Sequence, residues 1–210
     1  MKLVLIGAPG SGKGTLAARL KSKYGLLHVS TGDILREEIA KQTQIGKEAN
    51  ELMQKGLFVP DQLIIEMVKT RLEKDDAKAG FILDGFPRTI NQYHSMQGLI
   101  EIDKVVFLDC DNNILIDRLT SRIQCPKCKE VYSKKTYSLA TCSKCGEQLT
   151  VREDDNLQSI TKRLEVYEKE TKPIVDCFRK ENKLITVPGN LTPEKTLEFV
   201  ERALKLREEK

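Results

Sequence analysis

The sequence predicts an α/β fold: a three-layer sandwich with a five-stranded parallel sheet between helices, interrupted by one small insertion. Three observations point there. Short apolar runs alternate with longer segments of helical period, the signature of strand–helix–strand units that build a parallel sheet covered on both faces. The chain has 210 residues, more than one domain of roughly 150 by about the size of an insertion. One internal stretch lacks any helical period and carries most of the cysteines.

The elements follow in order. Lys2–Ile6 is a buried-type strand, followed by a glycine loop and a helix with Leu16 and Leu20 on its apolar face. Leu27–Val29 is a second strand. Phe81–Leu83 is a third, entered from Gly80 and left at Asp84-Gly85. Val105–Asp109 is a fourth, and Leu184–Val187 a fifth, closed by Pro188-Gly189. Between them Ile64, Met67, Val68, Arg71 and Leu72 have helical spacing, as do Leu157, Ile160, Leu164 and Tyr167. Thr192 to Lys210 reads as a closing helix with Leu197, Val200 and Leu204 on one face. Residues 123–151 break the pattern: they hold Lys127, Lys129, Lys134, Lys135 and Lys144, few aliphatics, and too little apolar surface for a core of their own.

Composition excludes several classes. Thirty-five Lys+Arg against 31 Asp+Glu give a net charge of +4, with both signs mixed along the chain. Nucleic-acid binders concentrate basic charge in a stripe, so no nucleic-acid partner is expected, whereas a small polyanionic substrate fits. No run of about 18 apolar residues exists, so no membrane span or membrane partner is expected. The apolar start reaches glycine at residue 7, too soon for an export signal, and a cytoplasmic location is expected.

Gly7-Ala8-Pro9-Gly10-Ser11-Gly12-Lys13-Gly14-Thr15 satisfies G-x-x-x-x-G-K between a strand and a helix, which makes the sandwich one of the P-loop type. Glycines let backbone N–H groups turn inward around a phosphate, and the helix N-terminus adds positive potential. Lys13 then brings a full charge. The alternative, a glycine-rich turn with an exposed lysine, does not explain why pattern and context agree. The residue after the lysine is Gly14, where most such loops have a magnesium-binding hydroxyl.

Cys125, Cys128, Cys142 and Cys145 form C-x2-C-x13-C-x2-C. Two such knuckles present four thiolates to one tetrahedral ion, with no open position for chemistry. The gap of thirteen is slightly shorter than the usual 15–20, so a short hairpin tip is expected. Disulfides and an iron centre are the competing readings of the same residues.

A loop of the form Gly-x-x-Gly-x-Gly-Lys-Gly-Thr is similar to that of the nucleoside monophosphate kinases. From about residue 1 to 191 the chain resembles the adenylate kinase family, in its long bacterial form with a zinc-binding, ribbon-like lid. The resemblance implies reversible transfer, MgATP + AMP ⇌ 2 ADP, balancing the adenine nucleotides. It also implies ATP, AMP and ADP as partners, Mg²⁺ with ATP, structural Zn²⁺ on the four cysteines, and a monomer. It implies a core of residues 1–29, 60–121 and 160–210, an AMP-binding domain of 30–59 and a lid of 122–159.

Residue by residue, the resemblance implies a donor site of Gly10, Ser11, Gly12, Lys13, Gly14 and Thr15, with Arg118 and Arg122 before the lid, Val131 and Tyr132 beside the ATP base, and the Leu191 backbone after Gly189-Asn190. The family commonly has a second arginine after the one at 122; here Ile123 stands there. Arg118 and Arg122 are four apart on a helical stretch and are expected to share a face. Thr31-Gly32-Asp33-Ile34-Leu35-Arg36 resembles the acceptor segment, with Arg36 on the AMP phosphate and Thr31 near the adenine. In isolation Thr31 or Asp33 reads equally as a helix cap. Leu57, Phe58 and Val59 resemble the adenine-holding segment, although Pro60 and Asp61 are ordinary helix starters. In Asp84-Gly85-Phe86-Pro87-Arg88, Asp84 resembles the carboxylate that organises water on Mg²⁺ and Arg88 the second phosphate clamp. Gln92 resembles the amide that reads the adenine edge. Arg152-Glu153-Asp154-Asp155 with Arg163 resembles the pair closing over the transferring phosphate; Asp154 and Asp155 also suit capping of the helix that follows. Another monophosphate kinase, for UMP/CMP or GMP, and a zinc-ribbon nucleic-acid binder remain the alternatives.

Overall fold

The structure is a computed structural model that describes residues 1–206. Five parallel strands form the central sheet: β1 (Lys2–Gly7), β2 (Leu27–Ser30), β3 (Phe81–Asp84), β4 (Lys104–Asp109) and, near the C-terminus, β7 (Leu184–Pro188), in the order β2-β3-β1-β4-β7. The apolar residues of the three central strands, β3, β1 and β4, are buried on both faces. Val4, Ile6, Val29, Leu83 and Val105 belong to one apolar cluster, while Leu3, Leu5, Ile82, Val106 and Leu108 belong to the other. Alternate residues of a strand point to opposite faces, which is why a continuous apolar run was needed and why it predicts these strands within a residue or so.

The chain winds outward from β1 to β2, then returns through β3 and crosses to β4. The strand order therefore reverses at β1. In open parallel sheets the crevice at the carboxyl ends of the strands, at that switch point, is where ligands bind. β1 feeds directly into α1 (Lys13–Tyr24). Register pairs Leu5 with Asp84 and Asp84 with Ser30, so Asp84 stands at the carboxyl edge beside β1.

Helices α2 (Thr31–Ala40) and α3 (Gln44–Gln54) pack on each other between β2 and α4 (Asp61–Leu72). After β3 comes α5 (Ile90–Gln97); α6 (Asn112–Thr120) follows β4. The insertion is a hairpin of β5 (Arg122–Gln124) and β6 (Val131–Ser133), extended by an isolated bridge from Gln124 to Thr150. None of the three apolar clusters draws a residue from 122–159, so the insertion has no aliphatic core, as its composition predicts. The chain re-enters the domain through α7 (Leu157–Val166), a π-helical turn at Tyr167–Thr171 and α8 (Lys172–Lys180), and ends with α9 (Pro193–Leu204). The tail of the predicted closing helix, residues 207–210, lies outside the described residues.

Three local expectations are corrected. Arg118 and Arg122 do not share a helix face: α6 stops at Thr120, and Arg122 opens β5. Ser121 ends the helix, its hydroxyl donating to the Asp117 carbonyl at 2.7 Å. Nor do Asp154 and Asp155 cap α7. Asn156 does, accepting from the Ser159 N–H at 2.9 Å, which leaves both aspartates for arginines. At α2 the cap is Ser30, accepting from the Asp33 N–H at 3.2 Å, so neither Thr31 nor Asp33 fills that role.

Candidate active site and thiol cluster

The loop between β1 and α1 is built as its glycines predict. Gly12 caps α1 at φ 101°, a left-handed conformation that glycine adopts without strain. The Lys13 ammonium folds back over the loop, donating to the carbonyls of Gly7 at 2.7 Å and Ala8 at 2.9 Å. Burial pushes its pKa down to about 8, against the pull of Asp84 and helped by the charges of Arg88, Arg163 and Arg122. Ser11 is buried, while Gly10 and Thr15 flank the lysine half-buried.

Asp84 faces this loop. A Cβ placed on Gly14 would lie 3.7 Å from its Oδ2, so the carboxylate occupies the side where a hydroxyl at position 14 would point. Burial opposes its ionisation. The hydrogen bond with His28 Nε2 at 3.2 Å and the charge of Lys13 outweigh that and hold the carboxyl below its ordinary value.

Arg88 is fixed at four points. Its Nε–H donates to the Gly85 carbonyl at 2.8 Å, and its N–H to Gln92 Oε1 at 2.8 Å. Its carbonyl accepts from the Thr171 hydroxyl at 2.8 Å, and its guanidinium lies 5.4 Å from the Phe58 ring centroid. Burial first, then the neighbouring Arg163 charge, lowers its pKa to about 10. Position 85 favours glycine: its φ is 84°, and a Cβ would stand 2.6 Å from Arg88 Nη2 and 2.8 Å from Thr31 Oγ1. Thr31 is buried and donates to the same Gly85 carbonyl at 2.9 Å. Val59, Phe86 and Pro87 are buried around this corner, whereas Leu57 is 37% exposed.

Of the remaining arginines, Arg36, Arg122 and Arg163 are held by acids and Arg152 by an amide. Arg36 pairs with Asp33 at 2.6 Å. Arg122 makes two bonds to Asp155, at 2.7 and 2.5 Å, and Asp155 has no exposed side-chain area. Arg163 reaches Asp154 at 3.0 Å and Asp155 at 3.2 Å. Arg152 donates to Gln124 Oε1 at 2.5 Å; burial, then the charges of Arg36 and Arg122, brings its pKa to about 9. These mutual influences place Lys13, Arg36, Arg88, Arg122, Arg152 and Arg163 in one electrostatic field, with cations outnumbering the carboxylates around them. Such a field is a site for a polyanion.

Other predicted residues, Gln92 excepted, sit apart. Arg118 Nη1 is 3.8 Å from the Cys110 sulfur, which is 3.6 Å from the Gly189 carbonyl. Leu191 packs against the α1 side of the sheet. Val131 and Tyr132 lie on β6, and the Tyr132 hydroxyl is turned to Cys142 Sγ at 3.2 Å. Gln92 is 1% exposed, with both amide atoms bonded within the protein. Asp61, Gln124 and Thr171 carry no signal in the linear sequence that marks them as site residues; only tertiary contact reveals them.

The four cysteines converge. Their sulfurs all lie within 4.8 Å of one another, with Cys125–Cys145 and Cys128–Cys142 at 3.5 Å. That exceeds a disulfide bond of about 2.05 Å and is close to the edge of a tetrahedron with about 2.3 Å metal–sulfur bonds. The Cys128 N–H points at Cys125 Sγ at 3.4 Å, the inward turn expected of a knuckle holding a negative thiolate. The cluster can hold one metal ion. No helix among the described residues is long and apolar enough to cross a membrane.

A family model described as adenylate kinase matches residues 5–183. The adenylate kinase of Thermoanaerobacter sp. (strain X514) is 43% identical over 213 residues, covering 97% of this chain and 98% of that protein. Those of Caldanaerobacter subterraneus subsp. tengcongensis and Clostridium tetani are 42% and 37% identical, each across 97% of this chain, with 96% and 98% of those proteins covered. A match of this extent, running through the loop, the arginine field and the thiol cluster alike, shows that the chain belongs to the adenylate kinase family.

Proposed function

We propose that the chain moves the terminal phosphoryl group of MgATP to AMP, reversibly, with the arginine field as the place of transfer. The single observation that supports this best is the convergence of Lys13, Arg36, Arg88, Arg122, Arg152 and Arg163 at the switch point of a parallel sheet. No strong general base is needed, because catalysis of phosphoryl transfer is mainly positioning and charge stabilisation.

In this reading Lys13 and the loop residues Gly10 to Thr15 hold the donor phosphates. Arg118, Val131, Tyr132 and the Leu191 backbone flank its base. Arg36 and Arg88 grip the acceptor phosphate in planar, two-pronged fashion, while Thr31, Leu57, Phe58, Val59, the Gly85–Pro87 turn and Gln92 surround its base. Arg122, Arg152 and Arg163 close over the moving group, aimed by Asp155, Gln124 and Asp154. Residues 30–59 act as the acceptor-binding unit and 122–159 as a lid that shuts out water, on a core of 1–29, 60–121 and 160–210.

The residues suit both metals. Asp84, ionised and beside Gly14, fits water-mediated contact with Mg²⁺, which supplies charge neutralisation on the donor phosphates. Four convergent thiols fit Zn²⁺, which supplies the cohesion that the coreless insertion lacks. The chain works as a cytoplasmic monomer on these nucleotides.

A coupled assay of ADP formation with AMP, CMP, UMP and GMP as acceptors tests the reading. AMP should lead by at least about tenfold in kcat/KM; a lead by UMP, CMP or GMP would move the chain to another acceptor.

A further inference from the structure

Gln92 is held at both ends of its amide. Oε1 accepts from the Arg88 N–H at 2.8 Å, and Nε2 donates to Asp61 Oδ1 at 2.7 Å. The two ends are not interchangeable, since a backbone N–H only donates and an ionised carboxylate only accepts. Turning the amide over would set N–H against N–H and oxygen against oxygen. Asp61 is itself anchored without Gln92: its Oδ2 accepts from the Thr89 hydroxyl at 2.8 Å and from Asn91 Nδ2 at 3.1 Å. Thr89 also caps α5, accepting from the Gln92 N–H at 3.1 Å, so carboxylate and amide are built into one small frame.

We propose that Asp61 is a specificity-determining positioning residue: with the Arg88 N–H it fixes which way the Gln92 amide faces, and thereby selects a 6-aminopurine monophosphate over a 6-oxopurine one. This rests on Gln92 as the reader of the acceptor base. After its two internal bonds the amide retains one lone pair on Oε1 and one N–H on Nε2. A 6-aminopurine offers the match, an exocyclic N–H donor beside a ring-nitrogen acceptor. A 6-oxopurine offers the reverse, a carbonyl acceptor beside a ring N–H donor, and would need the amide turned over. Discrimination arises because a mismatched polar edge stays unpaired in a closed site. Asp61 does this from behind Gln92.

The test measures kcat/KM for AMP and for IMP, a 6-oxopurine acceptor, on the full chain as wild type, Asp61→Ala, Gln92→Ala and the double variant. Their ratio is insensitive to the folded fraction. Asp61→Ala should lower the AMP/IMP ratio by about tenfold, the worth of roughly one hydrogen bond to a charged group, with KM for ATP unchanged. Gln92→Ala should lower it at least as far, and the double variant no further than Gln92→Ala alone, the non-additivity of a residue acting through its neighbour. A purely structural role for Asp61 would slow both acceptors alike; an unchanged ratio in Asp61→Ala beside a lowered one in Gln92→Ala overturns the proposal. An unchanged ratio in Gln92→Ala instead overturns the reading of Gln92 on which it rests.

Discussion

At the head of the phosphate loop, Lys13 carries its charge against burial. Its amine is charged below about pH 8 and neutral above, because burial and nearby arginines lower its pKa. On the proposed role of Lys13, nucleotide phosphates favour the charged form, so binding raises that pKa. Below about pH 7 the proton is already present and binding should take up almost none. From about pH 8 to about pH 9 the uptake should grow from about half a proton towards one, and affinity should weaken as pH climbs through that window. Calorimetric titration in two buffers of different ionisation enthalpy checks this, and Lys13→Met should abolish the buffer dependence; equal enthalpies for the wild type at pH 8.5 would refute it. Thr171 makes a second prediction. Its hydroxyl is the only side chain bonded to the Arg88 carbonyl among the described residues. Thr171→Val keeps the volume and removes the bond, at about 1 kcal/mol. KM for AMP should rise about fivefold in steady-state kinetics while KM for ATP stays constant.

At the scale of elements, the insertion and the π-helical turn depend on contacts rather than on local propensity. The hairpin of β5 and β6 has three residues per strand and no aliphatic core. Isolated hairpins of this size are marginal in water, so the thiol cluster must hold it. Metal removal under reducing conditions should therefore expose the amides of residues 122–151 to hydrogen exchange while β1, β3 and β4 stay protected, and kcat should fall with them. Loss of protection across sheet and insertion together would show that the two are one cooperative unit. The same contrast explains what the sequence disclosed. Buried parallel strands are continuous apolar runs, and phosphate loops and paired cysteines have fixed spacings, so all of these are legible. Asp155 is not: next to an asparagine at a helix start, an acid looks like a cap, and only the fold brings Arg122 and Arg163 to it. Gln124 and Asp61 are silent for the same reason, since each acts across 28 or 31 residues of sequence.

For the whole molecule, the arginine field sets function against stability. Arg122, Arg163 and Arg36 have carboxylate partners within hydrogen-bonding distance. Arg88 is different. It has the Gly85 carbonyl and the Phe58 ring, with Asp84 and Asp154 acting only at a distance. Its pKa, lowered to about 10, means that the unfolded chain binds this proton more tightly than the folded one does. Linkage then gives the sign. Between about pH 10 and the ordinary arginine value, Arg88 makes stability rise with pH; below pH 10, including neutrality, its charge is a standing cost to the fold. On the proposed role of Arg88, a bound phosphate removes that cost and strengthens nucleotide binding at the point where charge develops in transfer. Arg88→Met, similar in length and uncharged, should therefore stabilise the unliganded protein. A gain of even about 1 kcal/mol corresponds to about 2–4 °C in Tm for a chain of this size. The same variant should lose at least about 10²-fold in kcat/KM and most of the thermal shift that AMP confers on the wild type. Thermal unfolding with and without AMP at low ionic strength measures both effects at once. A fall in the unliganded Tm would mean that the Gly85 and Phe58 contacts outweigh the charge, and that the site holds its cations without strain.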